Sequence, residues 1–187
     1  MEQIWTLPQK AELGGREYDI RADFRDVLEI IGYLEDPELP EFIRWQVALA
    51  LFYETPVEEA HLQAAMEYLA WFLAGGSSDP GKPGPKRMDW QQDAPAIISD
   101  VNRVAGQEIR SLLFLHWWTF LSWFYSIGEG QLSMLVSIRD KLRRGKKLEV
   151  YEQEFYRENK KRVDLPKKYS PQEREEQKRL NALLNGQ

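Results

Sequence analysis

The chain contains no cysteine among its 187 residues and only two histidines. Disulfide bridges, thiolate metal sites and cysteine nucleophiles are therefore excluded. A catalytic zinc site usually needs three protein ligands, often histidines, and no His-Glu-x-x-His pattern occurs. No run of about 18 apolar residues is present, so we expect no membrane-spanning helix. The N-terminus lacks the basic and apolar regions of a signal peptide.

The sequence also lacks the short motifs that mark nucleotide-binding sites and common hydrolases. No Gly-x-x-x-x-Gly-Lys-Ser/Thr, Gly-x-Gly-x-x-Gly or Gly-x-Ser-x-Gly pattern occurs. We therefore expect a protein that is not an enzyme and that holds no cofactor or metal ion. Hydrophobic residues make up 43% of the chain and charged residues 29%, which is the composition of one globular domain or of two small ones.

Charge is split along the chain. Residues 1–138 hold 10 Lys and Arg against 21 Asp and Glu, a net charge of −11. Residues 139–187 hold 15 against 9, a net charge of +6. The asymmetry predicts an acidic body followed by a basic segment. Acidic residues such as Glu149, Glu154 and Asp164 alternate with the lysines and arginines of that segment, so we expect no strong nucleic-acid binding.

Hydrophobic periodicity predicts a mainly α fold, a bundle of about seven to eight helices with a short N-terminal β-hairpin. Gly14 and Gly15 suit the hairpin turn because glycine accepts positive φ, and we place the strands at residues 4–7 and 18–20. The predicted helices cover 23–34, 40 to at least 51, 55–74, 89–105, 108–127, 132–144, 148–163 and 171–184.

Capping signals and a linker define the predicted organisation. Asp23 suits the start of the first helix, and the segments 55–58 and 170–173 match the capping box. Residues 75–88 contain four glycines and three prolines and predict a flexible linker. It separates residues 1–74, the hairpin and three helices, from residues 89–187, which hold the remaining helices and the basic tail. These segments form either two units or one compact domain.

The helix predicted over 108–127 is the most unusual segment, because residues 112–125 are apolar on nearly every face. Such a helix lies at the centre of a bundle or forms part of a binding surface. We expect at least one of Trp117 and Trp118 to be buried, His116 to be a hydrogen-bonded core residue, and His61 to be exposed. The candidates for the core or for partner contact are Trp45, Trp71, His116, Trp117, Trp118, Phe120 and Trp123, with Trp45, Trp71 and Trp123 the more open ones.

Together these segments resemble a family of small phage and prophage proteins of Gram-positive hosts, encoded just upstream of the tail tape-measure protein. The resemblance spans nearly the whole chain and is most specific at Leu115-His116-Trp117-Trp118 followed by Phe120. It also includes Leu7-Pro8, Tyr18, Asp23-Phe24-Arg25, Trp71-Phe72, Gly75-Gly76, Asp89-Trp90, Asp93-Ala94, Ile138-Arg139, Lys141-Leu142, residues 152–156 and Tyr169-Ser170.

This resemblance implies a tail assembly chaperone of long-tailed, non-contractile phages, working in the cytoplasm of the bacterial host. Its implied partners are the tape-measure protein, which it would keep soluble, and the tail-tube protein. A second copy of the chain is a further candidate partner. The resemblance implies no catalytic residues. The alternative hypothesis is a nucleic-acid-binding or head-associated phage protein that uses the basic C-terminal segment.

Overall fold

The computed structural model describes residues 5–78 and 84–184, and within these ranges the chain forms one β-hairpin and nine α-helices. The strands are β1 (Lys10–Leu13) and β2 (Arg16–Asp19). The helices are α1 (Phe24–Leu34), α2 (Glu41–Phe52), α3 (Leu62–Leu73), α4 (Ala94–Ala105), α5 (Trp117–Tyr125), α6 (Gln131–Arg143), α7 (Val150–Glu158), α8 (Lys160–Val163) and α9 (Pro171–Leu184). The prediction of a mainly α fold with an N-terminal hairpin is confirmed.

The hairpin turns at Gly14 and Gly15, whose φ angles are +57° and +82°. A two-residue turn pairs Leu13 with Arg16 and fixes the rest of the antiparallel register. That register continues to a hydrogen bond from Ile20 N to Gln9 O at 3.1 Å. The predicted first strand at residues 4–7 is therefore wrong for its described part, residues 5–7, because the turn brings 10–13 rather than 4–7 opposite β2. Ile4 lies outside the described residues.

Helix α1 has the predicted bounds within one residue. Its buried positions are Phe24, Val27 and Ile30, spaced three residues apart on one face. The helix ends at Leu34, before the predicted stop at Asp36-Pro37. Local sequence was sufficient here because the periodicity, the acidic start and the proline all agree.

Helix α3 begins seven residues later than predicted. Residues 54–58 have no helix, a 3-10 turn covers Glu59–His61, and α3 starts at Leu62. Glu58 is extended, and its carboxylate forms an ion pair with Arg16 at the start of β2. The predicted capping box at 55–58 is therefore wrong, because Glu58 lies before the 3-10 turn in an extended conformation and pairs with Arg16 of the hairpin.

The helix predicted over 108–127 is wrong in its first half. Residues Ile109–Ser111 form a 3-10 turn, Leu112 is extended, and α5 begins only at Trp117. The segment before α5 instead pairs with backbone upstream of α1, as described below.

The predicted seventh helix is divided into α7 and α8 at Asn159, whose φ of −118° and ψ of 29° lie outside the helical range. This break gives nine α-helices where about seven to eight are predicted. The helix predicted over 89–105 begins at Ala94, with Pro95 in its first turn, and ends at Gly106 with φ +69°.

The chain divides into two compact units. The hairpin unit comprises residues 9–21, 25–69 and the stretch from Pro166 onward. Its largest fully buried side chains include Tyr18, Phe52 and Leu69. The Tyr53 hydroxyl donates to Ala65 O at 3.0 Å, which joins the end of α2 to α3.

The aromatic unit comprises residues 22–24 and 70–165 with the stretch up to Pro8. Its core contains Val101 of α4, Trp117 and Phe120 of α5, and Leu135 and Ile138 of α6. Residues 79–83 of the linker predicted at 75–88 lie outside the described residues, and the division into residues 1–74 and 89–187 stays a prediction. Residues 84–88 form no helix or strand.

Candidate functional site

His116 is the N-terminal cap of α5 and is only 2% exposed. Its Nδ1 accepts a hydrogen bond from Trp118 N at 3.0 Å, so Nε2 carries the proton and donates to Pro8 O at 3.0 Å. Burial lowers the pKa of His116 below 6.5, and the Pro8 carbonyl offsets part of that effect. The neutral ring is thus a structural cap whose two nitrogens are both in use.

The two tryptophans that follow His116 bind the C-terminal end of α3. The Trp117 indole N–H donates to Leu73 O at 3.1 Å, and the Trp118 indole N–H donates to Phe72 O at 2.9 Å. The last carbonyls of a helix have no partner within it, so these indoles supply donors at the end of α3, where Phe72 O also accepts from Gly75 N at 3.1 Å. The adjacent tryptophans therefore act as a cap for another helix.

The backbone on both sides of His116 pairs with residues 22–24. Phe24 N donates to Leu115 O at 2.9 Å, and Trp117 N donates to Ala22 O at 2.8 Å. The Asp23 carboxylate accepts from Leu115 N at 2.9 Å. The sequence predicts that Asp23 caps α1; in the structure its carboxylate binds the backbone just before α5. These bonds accompany an extended backbone at His116, with φ −58° and ψ 137°, and explain why the predicted long helix is interrupted.

Phe120 lies at the centre of a group of stacked rings. It stacks on Phe24 with ring centroids 4.9 Å apart and on Trp117 at 5.5 Å. Trp90, which precedes α4, contacts Trp117 at 6.0 Å and Phe124 at 5.1 Å. Aromatic pairs at these separations add to the stability that burial of their area provides. Trp90 was not among the sequence candidates, although its Asp-Trp motif marked it.

The turn after α3 makes room for Trp118. Gly76 has φ +85°, and a Cβ atom added there would lie 2.8 Å from the Trp118 ring. Trp71 also contacts the Trp118 ring in an edge-to-face arrangement, with ring centroids 5.1 Å apart. The paired glycines therefore close α3 as predicted and also admit the indole.

We expect Gly76→Ala to destabilise the protein by about 2–4 kcal/mol, because left-handed backbone strain and a ring clash add together. Gly106→Ala is the matched control, since Gly106 also has positive φ but has nothing within 4 Å of an added Cβ. Gly106→Ala should be destabilised only by the backbone strain, which lowers the free energy of unfolding by about 1–2 kcal/mol. Urea unfolding of both variants measures the difference, and equal losses would show that the turn has no steric role.

A buried ion pair forms a second cluster in the aromatic unit. Arg139 of α6 donates to both carboxylate oxygens of Asp93, at 2.6 and 2.8 Å, and neither side chain is more than 7% exposed. Its remaining donors bind Val163 O at 2.6 Å, Arg162 O at 2.9 Å and Arg87 O at 3.1 Å. All five guanidinium N–H groups are thus satisfied.

The neighbouring basic residues of α6 are also paired. Lys141 contacts both oxygens of Glu152 at 2.7 Å, and Glu152 in turn caps α7 by accepting from Glu149 N at 2.8 Å. Arg143 and Arg144 both contact Asp140, at 3.0 and 2.8 Å. The first part of the basic segment is therefore largely neutralised by acidic neighbours.

A family model described as "Bacteriophage Gp15 protein" matches residues 5–165. The chain belongs to this phage family. The match contains the aromatic and charged clusters above and ends before α9. No curated protein and no solved structure gives a significant match. The phage part of the predicted resemblance is confirmed, whereas its tail role is argued below as a proposal.

In this Gp15 family member, the motif residues hold the fold together. The structure brings Trp71, His116, Trp117, Trp118 and Phe120 into one cluster of the aromatic unit. Their polar atoms bind backbone groups, and Trp117 and Phe120 are only 1% exposed. The most specific motif of the sequence therefore describes a structural cluster.

The other candidate residues of the Gp15 protein lie elsewhere. Trp45 is half-buried on α2 in the hairpin unit, and Trp123 is half-buried on α5. Trp71 is also half-buried, so none of these three is a freely exposed ring. His61 is half-buried rather than exposed, because its Nδ1 lies 3.0 Å from the Tyr18 hydroxyl. The expectation of an exposed His61 is wrong for that reason.

The sequence candidates did not include an open face of α2 in the hairpin unit. One face of α2 carries Phe42, Gln46, Leu49 and Ala50, which we call the α2 stripe; Phe42 is 64% exposed. The C-terminal part of the stripe borders a cavity of about 390 Å³. The cavity is lined by Gln46, Leu49, Ala50, Tyr53, Glu54, Thr55, Pro56, Val57 and Leu62. The spacing of four and three residues in 42–50 is the signal that could have identified it.

The described parts of the Gp15 chain contain no group of three or more His, Cys, Asp or Glu side chains arranged to hold a metal ion. Among the helices formed by residues 5–78 and 84–184, none combines the length and apolar character needed to cross a bilayer.

Proposed function

We propose that this phage protein is a non-enzymatic tail assembly protein, a chaperone that binds the tape-measure protein in the cytoplasm of the bacterial host. The observation that carries the proposal is the α2 stripe, an open helix face with the exposed Phe42, which borders a cavity in an acidic unit. The tail-tube protein is a further proposed partner, which would meet the complex as the tube assembles.

A tape-measure protein is a long and mostly helical chain, and its apolar helix faces would aggregate if they were left in water. An amphipathic helix binds a hydrophobic groove through anchors spaced three and four residues apart. The α2 stripe has the same spacing, and its cavity can receive an apolar side chain. The geometry therefore suits a helical partner.

Charge supports the same choice of partner. Residues 25–69, which include α2, hold 2 Arg against 10 Asp and Glu, a net charge of −8. A basic amphipathic helix would be attracted to this surface, and nucleic acid would be repelled from it. The aromatic motif cluster is occupied by internal contacts, so an open helix face is the better place for a reversible partner.

Co-expression with the tape-measure chain tests the proposal. Expressed alone, that chain should be largely insoluble, and together with this protein it should enter the soluble fraction as a complex of many copies. We expect each contact to be weak, with a Kd near 1 µM, about −8 kcal/mol, because the chaperone must leave when tube subunits arrive. No gain in solubility and no co-purification at low salt would refute the chaperone role.

A matched pair of variants locates the contact. Phe42→Asp should fold normally, because Phe42 is 64% exposed, and should lose most of the solubilising activity. Val150→Asp makes the same kind of change at a residue of α7 that is 76% exposed, and it should retain full activity. Equal activity of the two variants would place the contact away from the α2 stripe.

The nucleic-acid alternative is less well supported, because Arg139, Lys141, Arg143 and Arg144 are all engaged by acidic partners. We expect no submicromolar binding of DNA or RNA in a gel-shift assay at about 150 mM salt, where charges are screened beyond roughly 8 Å. Tight binding under those conditions would favour the alternative function over the chaperone proposal.

A further inference from the structure

Helix α9 has no buried residue along its 14 positions. Leu180, Leu183 and Leu184 lie on one face and are 58%, 77% and 82% exposed. An isolated helix of this length is marginally stable in water, so most such helices depend on packing of an apolar face. We therefore expect the leucine face of α9 to pack against another surface. Helix α9 lies outside residues 5–165, which the family model matches.

The start of α9 is fixed near the start of α2. The capping box is present as predicted, with Ser170 N donating to Glu173 at 2.7 Å and Glu173 N donating to Ser170 Oγ at 3.2 Å. One residue further along, Arg174 forms an ion pair with Glu38, three residues before α2. Residues 166–170, which precede α9, form no helix or strand, so they can absorb a change in its direction.

We propose that the α2 stripe is a docking surface for α9 of the same chain, with the leucines of α9 entering the cavity at its end. The docking concerns the free protein and stands whether or not the partner is a tape-measure chain. In the docked state α9 would cover apolar surface that is otherwise open to water.

The lengths of the two helices match this arrangement. Nine residues separate Arg174 from Leu183, and nine separate Glu41 from Ala50, which is about 13.5 Å along a helix in each case. A parallel alignment that moves Arg174 from Glu38 to the level of Glu41, which is also acidic, brings Leu183 beside Ala50 at the cavity. Leu180 and Leu184 then lie one turn or less away on the same face.

Charge favours the same docking. Residues 166–184 hold 5 Lys and Arg against 3 Asp and Glu, a net charge of +2, whereas residues 25–69 have a net charge of −8. Lys178 and Arg179 directly precede the leucine face, and Glu54 lines the cavity that would receive it. A second copy could offer the same helix, but α9 of the same chain is covalently linked and is therefore present at a far higher effective concentration.

A disulfide-trapping experiment tests the docking, because the chain has no cysteine of its own. The double variant Ala50→Cys/Leu183→Cys is oxidised at low micromolar concentration and examined on a non-reducing gel. We expect a fast-migrating monomer, formed at least 5-fold faster than in the control Glu29→Cys/Leu183→Cys, whose first position is an exposed site on α1. Circular dichroism before oxidation confirms that both variants are folded.

Two further variants in the Ala50→Cys/Leu183→Cys background test the leucine face. Leu180→Asp should slow trapping at least 5-fold, whereas Gln172→Asp, at the other end of α9, should leave the rate unchanged. Equal rates for the α2 and α1 pairs would overturn the proposal, and so would a disulfide found only between two copies. Neither readout involves the tape-measure chain, so this failure is separate from failure of the co-expression test.

Discussion

Asp93→Ala should destabilise the protein by about 3–5 kcal/mol, because it leaves the Arg139 guanidinium buried without its counter-charge. The guanidinium is 7% exposed and cannot recover the lost bonds from water. The backbone N–H of Asp89, which donates to Asp93 at 2.9 Å, loses its acceptor as well. Urea denaturation followed by circular dichroism measures the free energy of unfolding.

Asp140→Ala is the matched control for this loss. Asp140 contacts three arginines, Arg87, Arg143 and Arg144, but those side chains are 50%, 43% and 46% exposed, and such surface pairs contribute about 0–1 kcal/mol each. A loss for Asp93→Ala no larger than that for Asp140→Ala would show that the buried ion pair does not hold the aromatic unit together.

Trp117→Ala should also cost about 3–5 kcal/mol, because it removes a fully buried ring and leaves a cavity. The change also leaves Leu73 O at the end of α3 without its indole donor. Thermal and urea unfolding should both show the loss, and under marginal conditions the variant should be largely unfolded. Any loss of partner binding by this variant would then reflect unfolding rather than a missing contact.

Two further variants serve as controls for Trp117→Ala, one for loss of an exposed ring and one for loss of the indole N–H. Trp5→Ala removes a tryptophan that is 90% exposed and should change the free energy of unfolding by less than about 0.5 kcal/mol. Trp117→Phe keeps much of the buried ring but lacks the N–H, and it should fall between the two. If Trp117→Ala proved as stable as Trp5→Ala, the aromatic cluster would not be the core of its unit.

The boundaries of several helices could be predicted because local signals agreed. The Ser170–Glu173 capping box sets the start of α9, and the periodicity from Phe24 with the Asp36-Pro37 stop sets α1. The glycine pair Gly14-Gly15 located the hairpin turn correctly, although the partner strand was misplaced. In each successful case the deciding interactions lie within a few residues of one another.

The candidate aromatics were only partly predictable. The sequence showed that residues 112–125 are exceptionally apolar, but it gave no sign that the backbone at Leu115 would pair with Phe24, 91 residues away. From the sequence, Arg139 is one of the basic residues expected on a solvated surface. Its burial depends on an ion pair with Asp93, 46 residues away. Long-range partners of this kind leave no periodic signal near the residue itself.

The amino-acid sequence by itself determined the helical character of this protein, its hairpin turn, its charge asymmetry and its membership of the phage family, because these depend on residue identity and local spacing. Tertiary structure alone decided that the aromatic helix begins at Trp117, that Arg139 is buried, and that Phe42 on α2 is exposed. The physical reason is that a buried polar group must find its partner wherever the fold supplies one, and an apolar face is covered only if another element reaches it.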